Sequence, residues 1–329
     1  KACLLAGKSV ATSNKELVAE KGAELLRIAK DKNVNFLFEA SVGGGIPIIR
    51  PLNQCLAANE VYEIAGILNG TTNFILSKMI HEQMSFDDAL ALAQKLGYAE
   101  RDPSADIEGA DACRKICILA SLAFGKHVYP DQVHTEGITK ITLEDVEYAS
   151  NYGGVVKLLG RVKKLDDGRL SVMVSPAIVE RSGQLAGVED VFNAILVRGD
   201  AIGDVVFYGR GAGKLPTASA VVADVIDCAK HVNRRKLLFW EDKADGYIAD
   251  YLEVPTRFYV RLSAQNPMET LAAIREEFGE VQRLSRPGAP DDELAFVTGE
   301  GPEGELRSKL DVLKKQGAQV LGLIRLCDY

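Results

Sequence analysis

Histidine is scarce in this 329-residue chain: His81, His127, His134 and His231 are the only ones, and none stands at a metal-ligand spacing from another. That excludes a histidine-built metal centre, leaves no Ser-His-Asp order to defend, and weakens any metal-dependent hydrolase built on acidic residues. The six cysteines (Cys3, Cys55, Cys113, Cys117, Cys228, Cys327) form no framework of close pairs, so a disulfide scaffold is excluded and reduced thiols in a cytoplasmic protein are expected. Cys113 and Cys117 share a helix face, but two ligands do not make a zinc site. No apolar run approaches the ~20 residues that span a bilayer, and Lys1 to Lys15 lacks the apolar stretch of a signal peptide. Basic residues are outnumbered 39 to 46, giving a net charge of -7, which argues against nucleic acid as a partner. No repeat or low-complexity tract is visible. Gly213-Lys214 lacks the rest of a phosphate loop, and no glycine fingerprint between a strand and a helix precedes Lys15.

What is present is an ordinary globular mixture, in a length that suits two or three domains. Gly7 to Thr12 reads as a short strand, with Ser13 or Asn14 capping a helix through Leu17, Val18, Leu25, Leu26 and Ile28. Val34 to Val42 reads as a buried strand, Gly43-Gly44-Gly45 as a break, and Pro47 as lying near the start of a second helix through Leu52 and Leu56. With a further strand at Val61 to Leu68, the βαβαβ rhythm predicts a parallel sheet covered by helices. Helical signals fill Thr72 to Phe124, and Ser85 with Asp88 makes a near capping box. Residues 153 to 207 carry β-branched runs, with a hairpin signal at Asp167-Gly168, and predict an antiparallel or mixed sheet. A glycine-rich turn at 209–213 leads to a helix from Thr217 to His231. Residues 232 to 250, with Asn233-Arg234-Arg235-Lys236, read as a linker. The last 80 or so residues read βαββαβ, one ferredoxin-like unit.

The stretch from Leu96 to Lys115 carries the chemistry. Five acidic side chains, Glu100, Asp102, Asp106, Glu108 and Asp111, fall within twelve residues between two helices. If the second helix starts near Gly109, Asp111 and Lys115 share one face, four residues and about 6 Å of rise apart. An amine fixed beside a carboxylate can exchange a proton with a carbonyl or alcohol oxygen. The plain alternative is a surface salt bridge of little consequence. Concentrated acids beside a loop suit an amine-bearing substrate.

The pattern GYAE-x-DP-x-x-D-x-x-G-x-D-x-x-x-K, Gly97 to Lys115, resembles the signature of homoserine dehydrogenases, with Ala105 at a position where the family often has an acid. The resemblance implies that Lys115 is the catalytic lysine, Asp111 its partner, Glu100 the carboxylate for the substrate amino group and Asp106 an acid of the substrate pocket. Val10 to Lys15 is similar to the family's strand end beside the cofactor, which implies cofactor-binding roles for Thr12, Asn14 and Lys15. Glu39 to Pro47 is similar to a loop that holds a monovalent cation, Na+ or K+, which would here fall to Glu39, Val42, Gly44 and Ile46. The plain alternative there is a glycine-rich turn after a strand. Gly66 to Asn73 and Tyr208 to Thr217 match two further blocks, the second implying Gly211 near the nicotinamide.

The implied fold is α/β: a partial Rossmann-type parallel sheet (residues 1–50, with the returning helix 209–232), an α+β catalytic and dimerisation domain with a mixed sheet (51–208), and an ACT-like ferredoxin-fold domain (250–329). The implied reaction interconverts L-aspartate 4-semialdehyde and L-homoserine with NAD or NADP, in a homodimer or homotetramer, with threonine as a candidate effector. In the turn that would bind threonine, Asn266-Pro267 is kept but Met268 replaces a glycine, so regulation and a purely structural module both stand. Roughly 60 residues of a nucleotide-binding half would precede this sequence. Weak binding of NAD(P)H is therefore expected, and a catalytically silent regulatory or assembly fragment is the alternative reading.

Overall fold

The computed structural model describes residues 1–232 and 234–329. A short helix α1 (Ala2–Leu5) precedes strand β1 (Val10–Ala11), which pairs in parallel with β2 (Phe36–Leu37). Between them runs α2 (Lys15–Asp31), whose first turn is closed by the Asn14 side chain accepting from the Leu17 N–H. The apolar run at 34–42 yields only the two strand residues of β2. Glu39–Ser41 coils into a tight 3-10 turn, because Glu39 is drawn inward to other partners described below.

Strand β3 (Val61–Ile67) overturns the expectation of one parallel sheet. It leaves β1 and β2 and lies antiparallel between two later strands, β5 (Gly154–Lys164) and β7 (Phe192–Gly199). A strand buried on both faces reads as a continuous apolar run in either kind of sheet, so its sequence does not reveal its neighbours. Helices α3 (Gly70–Glu82), α4 (Phe86–Leu96), α5 (Ser104–Ile107) and α6 (Ala110–Phe124) follow β3; the short strand β4 (His134–Thr135) and α7 (Leu143–Tyr152) precede β5. The Ser85 hydroxyl accepts from the Asp88 N–H at the start of α4, as the near capping box predicts.

β5 turns at Asp167-Gly168 into β6 (Leu170–Glu180), and β7 turns into β8 (Gly203–Arg210). Helix α8 (Lys214–Lys230) returns over β1, starting three residues earlier than its alanine-valine run suggests. Beyond the two-residue β9 (Pro255–Thr256) come β10 (Phe258–Ala264), α9 (Pro267–Phe278), β11 (Gln282–Leu284), β12 (Glu293–Val297), the short β13 (Gly301–Pro302), α10 (Glu303–Lys315) and β14 (Ala318–Cys327). Omitting β13, which pairs only with β9, this is the expected βαββαβ unit. It is not a separate sheet. β14 runs parallel to β6, with Arg325 opposite Ala177 and Cys327 opposite Val179, so one ten-stranded sheet crosses both parts of the chain.

The segment expected as a linker is anchored in the core. Asn233 lies outside the described residues, but Trp240 is 1% exposed and packs edge-on against Phe38. Its indole N–H donates to Nδ1 of the buried His127, one of the residues read as structural or surface. Among the described residues, no helix is long and apolar enough to cross a membrane.

Candidate active site

Three chain segments converge on Asp111. The first is the N-terminus of α2, where Asn14 as cap fixes Lys15 at the first helical position. The second is the junction of β3 and α3, where Leu68 follows the strand and Asn69 caps the helix by accepting from the Thr72 N–H at 2.8 Å. The third is the first turn of α6, which carries Asp111 where the helix dipole favours a negative charge.

The Asp111 carboxylate is 3% exposed and lies between two ammonium groups. Lys115, one turn along α6, reaches Oδ2 at 2.7 Å, and Lys15 approaches Oδ1 at 2.6 Å from the opposite side. The Lys15 contact is an ion pair off the hydrogen-bond line, so Oδ1 has a charge partner but no aligned donor. Burial works against ionisation of Asp111, yet the two lysines outweigh it and hold the carboxyl well below the usual aspartate range. Lys115 Nζ also donates to the Leu68 carbonyl at 2.6 Å. Two of its three hydrogens are thus committed, and one is left.

Asp106 of α5 joins this cluster through Asn69, whose amide nitrogen donates to Asp106 Oδ1 at 2.6 Å and to Asp111 Oδ2 at 2.8 Å. Burial raises the Asp106 pKa, and the Asp111 charge adds to that. Glu100 is exposed on the loop after α4, with no side-chain partner among the described residues, and the structure does not bring it onto Asp111. Its loop is tied to α3 by the Thr71 hydroxyl, which donates to the Tyr98 carbonyl at 2.7 Å.

Thr12 and Asn14 have local work. Thr12 Oγ1 accepts from the Asn14 N–H and Asn14 caps α2, so both shape the turn that presents Lys15. Gly44 and Gly211, expected in two different sites, abut one another. Gly44 has φ +54°, and a Cβ there would collide with the Gly211 carbonyl. The Gly45 N–H donates to the Arg210 carbonyl at 3.1 Å, which locks the loop around Gly44 to the turn before α8.

Glu39 is 4% exposed, and its carboxylate accepts the N–H groups of Ile48, Ile49 and Arg50 at 2.7, 2.9 and 3.0 Å. It closes the start of the turn-and-helix at 49–55, so its side chain does not fit a cation ligand, and Val42, Gly44 and Ile46 have only backbone carbonyls to offer. Among the described residues, no group of three or more His, Cys, Asp and Glu is placed to hold a metal. Reading the sequence missed Asn69 and the Leu68 carbonyl. An Asn three residues before a Thr at a strand end is a legible cap signal; a backbone carbonyl has no signal.

A family model described as homoserine dehydrogenase matches residues 47–226. A homoserine dehydrogenase of Synechocystis sp. is 40% identical over 325 residues, which cover 94% of this chain and 75% of that protein. The crystal structure of a homoserine dehydrogenase from Thiobacillus denitrificans superposes with a TM-score of 0.89 at 37% identity, over 99% of this chain and 78% of that one. A hyperthermophilic archaeal homoserine dehydrogenase solved in complex with NADPH gives a TM-score of 0.58 at 35% identity, over 69% of this chain and 66% of that one.

Proposed function

This chain belongs to the homoserine dehydrogenase family of oxidoreductases, and we propose that Asp111, held between Lys15 and Lys115, is the centre at which it interconverts L-homoserine and L-aspartate 4-semialdehyde. The nicotinamide dinucleotide, NAD or NADP, supplies or accepts the hydride when bound. The observation that carries this reading is the single buried carboxylate with an ammonium on each side. Lys115 is fixed by Asp111 and the Leu68 carbonyl, and its uncommitted hydrogen is the one to meet the aldehyde oxygen. In the reverse direction the neutral amine takes the alcohol proton. Asp106 and Glu100 hold the substrate ammonium through charge-assisted bonds.

The half-exposed Lys15 and the turn at Gly211 to Lys214, whose helix α8 starts without a side-chain cap, fit the nicotinamide end of the cofactor. Thr12 and Asn14 contribute by shaping the turn under Lys15. The cation assignment survives only as backbone carbonyls of Val42, Gly44 and Ile46, and no step runs through it. The three-domain division (1–50 with the returning helix, 51–208, 250–329) is retained, with the βαββαβ unit read as an ACT-like module of a cytoplasmic homodimer or homotetramer. Threonine as its effector is supported less well, since the Asn266 side-chain oxygen already faces its own helix as the cap of α9.

The test is Lys115→Ala. It should lower homoserine oxidation by roughly 10²–10⁴-fold, the usual range for a lost proton-transfer group, with cofactor binding largely retained. Near-parent turnover by the folded variant would remove Lys115 from the mechanism.

A further inference from the structure

We propose that Asn69 is a positioning residue that holds Asp106 and Asp111 as a pair of carboxylates in one cluster by donating one amide hydrogen to each. The amide orientation follows from its surroundings. Asn69 is 5% exposed, and its Oδ1 accepts from the Thr72 backbone N–H, a group that can only donate. Nδ2 must therefore face the acids, and it sits 2.6 Å from Asp106 Oδ1 and 2.8 Å from Asp111 Oδ2. An NH₂ group has two hydrogens and no accepting lone pair, so this geometry suits two ionised acceptors.

The two acids differ in what else they hold. Asp111 has Lys15 and Lys115 as ion-pair partners. Asp106 has neither in contact; it faces the charge of Asp111, with the more distant Lys115 of α6 helping to offset it. Like charges that share a buried site disfavour joint ionisation, and the burden falls on the less well-partnered acid. Asn69 is thus the bridge that keeps Asp106 ionised beside Asp111 while fixing the distance between them. The strand-to-helix junction makes this possible, because one side chain serves as helix cap with its oxygen and as clamp with its nitrogen. The consequence for substrate affinity rests on the reading of Asp106 as the ammonium-binding acid; the clamp itself does not.

Asn69→Ser keeps a capping oxygen and deletes the amide donor. Asp106 in the 329-residue chain can be titrated by carboxyl-carbon NMR, without reference to activity. Its midpoint should rise by about one pH unit in Asn69→Ser, the scale of one lost hydrogen bond to a carboxylate. The acid limb of kcat/KM for homoserine should move up with it, while the alkaline plateau changes much less. An unmoved Asp106 titration in the folded variant would overturn the proposal. If Asn69→Ser fails to fold, Asn69→Asp retains the cap and places a third carboxylate beside the two acids; the same upward movement is expected, and its absence overturns the proposal equally. Asp106→Asn tests the ammonium assignment separately. An unchanged KM for homoserine there would remove that assignment and leave the titration to decide on Asn69.

Discussion

A buried imidazole shows how far one residue's chemistry can be read from its partners. His127 Nδ1 accepts from both the Ala23 N–H and the Trp240 indole N–H, at 3.2 and 2.9 Å, and Nε2 lies 2.7 Å from the Ala19 carbonyl. Two pure donors at Nδ1 require the neutral tautomer with its proton on Nε2. Burial pushes the pKa down, against the Ala19 carbonyl and Asp242, which act to raise it. The unfolded chain takes up this proton near the ordinary histidine value of about 6.5, before the folded chain does. The stability held in this contact is therefore fully present above that pH and is lost as pH falls below it. The urea midpoint should drop between pH 7 and pH 5.5. In His127→Gln, less stable at pH 7, the drop should be smaller. Parallel declines in the two proteins would exclude His127 as the titrating group.

At the scale of elements, the decisive contact is between two loops. The Gly44 loop follows the 3-10 turn at Glu39–Ser41, and the Gly211 turn leads into α8, more than 160 residues later in the sequence. Gly44 combines a positive φ with direct backbone contact to Gly211, so an added methyl has no flexible side chain to displace. Gly44→Ala should cost about 2–4 kcal/mol by adding overpacking to left-handed strain. It should also raise KM for the nicotinamide cofactor, whichever of NAD and NADP is used, by moving the α8 turn. Gly168→Ala in the β5–β6 hairpin is the matched control. There φ is +84° with open space around the new methyl, and only about 1–2 kcal/mol of left-handed strain is expected. Urea unfolding of both variants checks the pair. Equal costs would mean that the Gly44–Gly211 contact contributes nothing beyond backbone conformation.

Across the whole molecule, a buried charge cluster joins the C-terminal unit to the catalytic part. Arg325 of β14 is 1% exposed and bonds Glu303 of α10 at 2.8 and 2.6 Å and Glu136, just past β4, through two contacts of 2.9 Å. The same strand continues the sheet through β6. The two parts should therefore unfold together. Arg325→Met leaves the buried Glu303 and the partly exposed Glu136 to share Arg307, with His134 beside Glu136, and should cost about 2–3 kcal/mol, less than a fully buried pair left without any partner. Adding Glu136→Gln and Glu303→Gln should restore much of that loss, because the excess negative charge around Arg307 goes with the arginine. If the triple variant is no more stable than Arg325→Met, the cluster's charge is not what joins the two parts.

The sequence by itself determined the local features. Asn14, Ser85 and the Asp167-Gly168 turn set helix starts and a hairpin where their chemistry requires, and the four-residue spacing of Asp111 and Lys115 put them on one face of α6. These depend on neighbours within a turn or two, and such neighbours are written side by side. Only the tertiary structure decided that β3 joins the mixed sheet, that Trp240 pins an apparent linker and that Glu39 is filled by backbone donors. It also brought Lys15 and Asn69 to Asp111 and left Glu100 on an exposed loop. Each of these pairs groups that are distant in sequence, or uses backbone atoms that every residue possesses. An apolar run states that a strand is buried; which strand lies beside it is settled by the packing of the whole chain.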